Sequence, residues 1–261
     1  MSVDSKLTAI ADAIRAKTGG TEALTLDGMA EAVEGLQIGG GDLLPAIINR
    51  TVAEVNDSTI VSVGQYAFYA CDNLRTLRLT ACQEVQDNGI YYCTKLTSVE
   101  LPACTRVGGT GFYMCSELTS INLPMCTYAG YRAFQSCRSL KTVKLPICET
   151  IGAQCFISCY YVESIDIGFC TNIYAKTFSD CCSLKALVIR TNQVCQLANT
   201  NAFEYCYHIL GTVNATYNPD GLKDGYIYVP DALVEDYKAA TNWSTYADQI
   251  KPLSEYVEVT A

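Results

Sequence analysis

One histidine and one tryptophan stand among 261 residues, and only 17% of the chain is charged. The histidine, His208, has no nucleophile or metal-ligand partner near it in sequence, which leaves little for acid–base or hydrolytic catalysis. Glycine-rich loops of the type that cradle phosphates or dinucleotides are missing too, so phosphoryl and hydride transfer drop out. The reading is of a non-enzyme with no cofactor and no metal site.

Basic charge is scarce as well: 18 Lys and Arg face 27 Asp and Glu, for a formal net charge of −9. Residues 42–219 hold 12 basic and 13 acidic side chains, so the acidity sits in the two ends and the middle is near neutral. No basic patch stands ready to displace counterions from a phosphate backbone, and nucleic acid is not an expected partner. Apolar runs fall short of the ~20 residues of a membrane-spanning helix, so membrane insertion is not expected. Residues 1–20 carry Asp4, Lys6, Asp12 and Arg15 in place of the apolar core of a signal peptide, which points to synthesis in the cytoplasm.

Cysteine, by contrast, is abundant. Eleven of the 15 recur at a strict eleven-residue interval: Cys71, Cys82, Cys93, Cys104, Cys115, Cys126, Cys137, Cys148, Cys159, Cys170 and Cys181. Taken as two interleaved series they mark a 22-residue repeat, and a period in that range means a solenoid of stacked units. Apolar positions repeat with them: Leu74, Leu77, Leu79, Cys82, then Leu96, Val99, Leu101, Cys104, and so on to Val162, Ile165, Ile167, Cys170. This is L-x-x-L-x-L-x-x-N/C, the leucine-rich repeat pattern, and in the sixth unit Asn192 follows Leu184, Leu187 and Ile189 at the place where Asn or Cys is admitted.

The L-x-L core alternates with period two, so each unit gives one short strand to one parallel sheet. Phe68, Ile90, Phe112, Phe134, Phe156 and Phe178 each sit three residues before a first-series cysteine, a spacing that suits short helical or 3-10 turns on the other wall. The expected fold is an α/β solenoid over residues 61–222. Glycines such as Gly108, Gly130 and Gly152 recur with the unit as turn residues. Thiols of one series would stack ~4.8 Å apart with parallel side-chain vectors, a poor geometry for disulfides and no tetrahedral pocket for zinc. Buried, reduced thiols are expected. Of the remaining cysteines, Cys195 and Cys206 fit the ladder if about three residues are inserted near 190–195, while Cys155 and Cys182 stand outside it.

The half-motif A-F-x-x-C-x-x-L, in Ala67–Leu74 and Ala133–Leu140, resembles the BspA-like leucine-rich repeats of gut and oral bacteria, over roughly residues 51–206. A second cysteine after the strand departs from the usual pattern of that family. Val52 and Val55 echo the repeat 22 residues early while Asp57 and Ile60 break it, so residues 39–60 read as a glycine-rich joint and a degenerate first rung. Residues 223–261 resemble the C-terminal ends of BspA-like proteins and read as an α+β cap. Within it Tyr226–Pro230 suits a strand, Asp231 an N-cap of a helix to Ala240, and Trp243–Ile250 a further turn or helix that buries the tryptophan.

Residues 1–38 read as a small helical segment, with Leu7, Ile10 and Ile14 on one stripe and Leu26, Met29, Val33 and Leu36 on a second. An ordinary helical N-terminal cap fits these residues. The stretch LTAIADAIRAKTGGTEALTLDGMAEAVEGL also resembles N-terminal segments of tail-associated structural proteins of phages and prophages of Gram-positive bacteria. That resemblance implies an attachment segment with phage tail proteins as partners, a virion-associated location and assembly as a homo-oligomer.

Two outward-facing sets are candidate binding surfaces. On the strand face stand Arg78, Glu100, Asn122, Lys144 and Asp166, with Arg75, Lys141, Glu163 and Lys185 beside them. On the other wall Tyr69, Tyr91, Tyr92 and Tyr113 cluster in the first three units, where they either pack at the edge against the N-terminal segment or supply amphipathic contact area to a ligand at low entropy cost. The expectation is a non-enzymatic binding or structural module that presents its repeats, from a phage or prophage tail, to a host-surface glycan or protein. The alternative is a bacterial BspA-like adhesion or protein-interaction protein outside a virion.

Overall fold

Each unit forms a three-residue strand that starts one residue before its L-x-L core, as in Thr76–Arg78, so that the first apolar residue of the core is central and points inward, and successive strands pair in parallel at a shift of one repeat. In a computed structural model that describes residues 50–258, Val55 pairs with Leu77 and Leu77 with Val99. A second run joins Ile121, Val143, Ile165 and Leu187. The helical segment expected over residues 1–38 and the glycines at 39–41 lie outside the described residues. The strand wall is thus two ladders, three strands ending at Ser98–Glu100 and six starting at Ser120–Asn122. Ile60, which breaks the pattern in sequence, is buried at the place of Cys82, and Asp57 closes that turn by accepting from the Thr59 and Ile60 backbone N–H groups.

The solenoid has a second parallel wall that the single expected sheet leaves out. Two-residue strands follow Ile60 and the second-series cysteines: Ser62–Val63, Glu84–Val85, Arg106–Val107, Tyr128–Ala129 and Thr150–Ile151 form one ladder, and Asn172–Ile173 pairs separately with Gln196–Leu197. Their second residues, Val63, Val85, Val107, Ala129 and Ile151, are buried. Two residues are too few for period-two alternation to be visible in a sequence.

The connecting arc is a run of tight turns rather than a helix. Left-handed backbone recurs twice per coil, at Tyr66 and Ala70, Asn88 and Tyr92, Thr110 and Met114, and interrupts any helical run. Amide groups alternate between the i−3 carbonyl, as in Tyr69 N to Tyr66 O (3.1 Å), and the next coil, as in Phe68 N to Gly89 O (2.9 Å) and Ala70 N to Tyr91 O (2.8 Å). Helical geometry appears where the period is lost, at the 3-10 turn Thr200–Phe203 and at α1 (Tyr207–Leu210).

All fifteen cysteines are reduced and buried. The two series do different work. First-series thiols bond to the coil before: Cys93 Sγ donates to Phe68 O (2.9 Å), Cys115 to Ile90 O (3.3 Å), Cys137 to Phe112 O (3.2 Å) and Cys159 to Phe134 O (3.2 Å). Second-series thiols close the turn after the strand, Cys82 on Glu84 O and Cys104 on Arg106 O, both 3.3 Å. Burial pushes Cys104 and Cys137 up to about 12, which keeps these groups as S–H donors at neutral pH.

Asn192 does not take the cysteine post in the sixth coil. It is exposed, and the three-residue insertion carries Cys195 into the buried site. The glycines of the second wall are there for close approach: a Cβ on Gly130 would meet the Gly109 backbone nitrogen at 2.7 Å.

Phenylalanines fill the core in a single stack. Ring centroids lie 5.4 Å apart for Phe112–Phe134 and Phe134–Phe156, 6.0 Å for Phe156–Phe178 and 5.4 Å for Phe178–Phe203. Trp243 and Tyr246 close the stack on Phe203, so the tryptophan is core. The cap also lengthens the strand wall, with Tyr226–Val229 pairing to Ala186–Val188 and Ile250–Pro252 to Tyr226–Val229. Asp231 does not cap a helix: it begins a 3-10 turn ahead of α2 (Val234–Ala239), and its carboxylate accepts the Ser254 N–H (3.0 Å).

Phe134→Ala removes a ring from the middle of the stack and is expected to destabilise the protein by about 3–5 kcal/mol in equilibrium denaturation. In denaturant without reductant, all fifteen thiols should titrate with Ellman's reagent, while the native protein reacts slowly. A denatured count far below fifteen would reject the reduced ladder.

Candidate interaction surface

The nine strand-face candidates share a wall, but most have partners within the chain. Arg78 and Glu100 pair at 3.0 Å, both about half exposed. Asp166 is nearly buried and accepts Arg190 Nε (2.9 Å) and Nη2 (2.7 Å) as well as its own Gly168 N–H. Lys144 pairs with Glu258 (2.5 Å) and Lys185 with Asp224 (3.3 Å). Arg75, Asn122 and Lys141 are exposed, and Glu163 is half-buried.

The C-terminal segment explains the burial of Asp166. Residues 253–258 cross the later strands, with Tyr256 OH against Ser164 Oγ (3.1 Å) and its ring against Tyr228 (5.1 Å). Asp166 is therefore not an open binding residue, and Val188 beside it is buried. Sequence spacing places Asp166 outward, but cannot reveal a later segment laid over it.

The tyrosines form a more coherent surface. Tyr69 stacks on Tyr91 (5.6 Å, 17°) and Tyr91 on Tyr113 (4.8 Å, 8°), while Tyr92 packs beside both Tyr91 (5.1 Å) and Tyr113 (6.0 Å). Tyr66, which sequence spacing does not include, joins edge-on to Tyr69 at 5.8 Å, and Arg50 lies over the Tyr69 ring. Tyr69 and Tyr92 remain 41% and 36% exposed, so five rings make one platform across three coils. Burial and the neighbouring phenols push the Tyr91 hydroxyl up, which keeps it neutral.

The family profile described as BspA type leucine rich repeat region, in six copies, matches residues 51–162 and 83–210. The chain belongs to the BspA-type leucine-rich repeat family. No curated protein matches it. Among solved structures, it is similar to a leucine-rich repeat protein of T. pallidum, with 26% identity and a TM-score of 0.53 over 66% of this chain and 80% of that one. A leucine-rich repeat protein of Bacteroides ovatus matches at 19% identity and a TM-score of 0.46, over 69% of this chain. The chain spans 56% of the length of the Bacteroides protein.

In this BspA-type solenoid the single histidine is a structural pin. His208 Nδ1 meets Asp224 Oδ1 (2.5 Å) and Nε2 meets Tyr217 O (3.0 Å), which ties down the excursion between α1 and the cap. Burial would raise the Asp224 carboxyl, but the His208 hydrogen bond and the Lys185 charge outweigh it and hold the group below its usual value. Among the described residues no group of three or more His, Cys, Asp or Glu is arranged to hold a metal, and no helix is long and apolar enough to cross a membrane.

The segment over the strand face should respond to pH. The hydrogen bond and charge of Lys144 hold the Glu258 carboxyl below its ordinary value. A depressed carboxylate contributes stability that is present above its unfolded value, ~4.3, and is lost as pH falls through the folded value. Amide exchange of residues 254–258 should therefore accelerate, relative to the core strands, as pH drops below ~4.3, and Lys144→Met should remove that step.

Proposed function

We propose that this chain is a non-enzymatic interaction module that binds a host-surface protein through the tyrosine platform of its first three coils. Leucine-rich repeat proteins of this kind serve as protein-interaction or adhesion scaffolds. The observation that carries the reading is the contiguous, partly exposed stack of Tyr66, Tyr69, Tyr91, Tyr92 and Tyr113, where the strand face is largely engaged with its own chain. Aromatic rings held rigid by one another bury large area at small entropic cost and are enriched where binding energy concentrates. Residues 1–38 would attach the solenoid to a phage or prophage tail, as their resemblance implies. Reduced, hydrogen-bonded thiols accord with synthesis in a reducing cytoplasm and later release with the virion.

Full-length protein should be captured by whole Gram-positive host cells, with protease treatment of the cells abolishing capture. Tyr91→Ala combined with Tyr113→Ala should weaken capture about tenfold or more while Arg78→Ala leaves it unchanged. Antibody to the chain should label phage tails. Labelling of the bacterial surface alone would instead favour an adhesion protein outside a virion.

A further inference from the structure

The wall of two-residue strands carries a cleft that neither the strand face nor the tyrosine platform uses. Two shallow depressions, of about 340 and 250 Å3, share Asp87 and Arg106 and so run as one groove across neighbouring coils. Its shape follows from one repeat position. Successive coils carry Asp87, Gly109 and Tyr131 there; the Asp87 carboxylate leans onto the Gly109 N–H, and between it and Tyr131 the absent side chain leaves a gap over backbone.

Polar groups line the groove: the carboxylates of Glu84 and Asp87, the amides of Gln65, Gln86 and Asn88, and the Thr110 hydroxyl. That lining disfavours an apolar ligand. Charge disfavours an anion, because the Arg106 guanidinium is already engaged by Glu84 at 3.2 Å and by the Tyr128 ring at 3.9 Å, against two carboxylates. A neutral, polyhydroxylated ring satisfies both conditions. Carboxylate and amide oxygens accept from neighbouring hydroxyls, and Tyr131, 48% exposed, carries the Arg132 guanidinium over one ring face at 4.7 Å and has the other for the C–H side of a pyranose.

The groups are also held in place before any ligand arrives. Asp87 Oδ1 accepts the Gly109 N–H (2.6 Å), Thr110 Oγ1 donates to Asn88 Oδ1 (2.6 Å), and Tyr131 OH donates to Gln154 Oε1 (3.2 Å), which also accepts from Arg132 Nε (2.6 Å). Such preorganisation lowers the entropic cost of binding. We propose that the groove over Gly109 is a binding site for a neutral saccharide, with one pyranose seated between Asp87 and Tyr131. Asp87 and Gly109 stand four residues upstream of Tyr91 and Tyr113, Tyr131 lies one coil beyond the platform, and the site does not depend on the platform's function.

Calorimetric titration of the full-length protein with neutral trisaccharides of glucose, mannose and galactose, and with one sialylated and one sulfated trisaccharide, tests this. At least one neutral trisaccharide should bind with a Kd of about 1 mM or tighter, and the charged sugars at least about tenfold more weakly. Gly109→Gln fills the gap without deleting a polar group; its Cβ would make only an ordinary contact, 3.4 Å from Tyr131 O. That variant and Tyr131→Ala should each lose about tenfold or more, while Tyr91→Ala binds the sugar normally. Thermal unfolding checks that each variant folds, and if Gly109→Gln does not, Tyr131→Ala decides. Binding of none of the neutral sugars, tighter binding of the charged ones, or undiminished binding by the folded variants overturns the proposal.

Discussion

Every coil of this solenoid must hand hydrogen bonds to the next at the same points of its circuit, and the rest of the structure follows from that constraint. Backbone groups left over by the tight turns find partners one coil away, on the strand wall, on the second wall and through the arc, as in Ala70 N to Tyr91 O. Unequal coils would leave buried donors and acceptors unmatched, at a cost of roughly 1–3 kcal/mol each. Hence the strict 22-residue period, the thiol that reaches back from Cys93 to Phe68 O, and the glycines at 108, 130 and 152, where two backbones pass closely.

The same constraint explains why the insertion near residue 192 comes where it does. Beyond it no further regular coil receives the hydrogen bonds, and side chains of the cap supply them. Tyr237 OH accepts the Cys195 N–H (2.9 Å), Trp243 Nε1 donates to Cys195 O (2.6 Å), Asn242 Nδ2 to Leu197 O (2.7 Å) and Tyr246 OH to Thr200 O (2.7 Å). Aromatic residues suit this post because each covers the open end of the phenylalanine stack with its ring while its polar tip reaches a backbone group. A rung can lose its period once its neighbour is a set of side chains rather than a backbone.

What was legible in the sequence was whatever the period repeats. Leu77, Phe112 and Cys115 each recur at a fixed interval with one buried role, so the solenoid, its strand wall and its core posts can be read directly. The second wall escapes because two residues carry no alternation, and Asn192 misleads because the repeat pattern gives no sign of how far the insertion shifts the post. The clustering of Tyr69, Tyr91, Tyr92 and Tyr113 is legible from their columns, whereas Tyr66 lies three residues before Tyr69 and so in another column. The pairing of Asp166 and Lys144 escapes for a different reason: their partners, Arg190 and Glu258, lie outside their own repeat unit.

Stacking also changes what outward diversity means. One position recurs every ~4.8 Å, so like charges in a column would repel, and opposite ones in adjacent coils neutralise each other. Arg78 beside Glu100 and Glu84 beside Arg106 are such pairs. Variation of charge along a column is thus what stacking alone would select, and it is weak grounds for a recognition surface. The informative columns are those that break this rule. Tyrosine at Tyr69, Tyr91 and Tyr113 exposes aromatic faces that the fold does not require, since the same column carries Gln135 and Ser179 further along. Gly109 between Asp87 and Tyr131 leaves a gap where a side chain would fit. A repeat protein advertises function at the positions where its outward columns stop satisfying themselves.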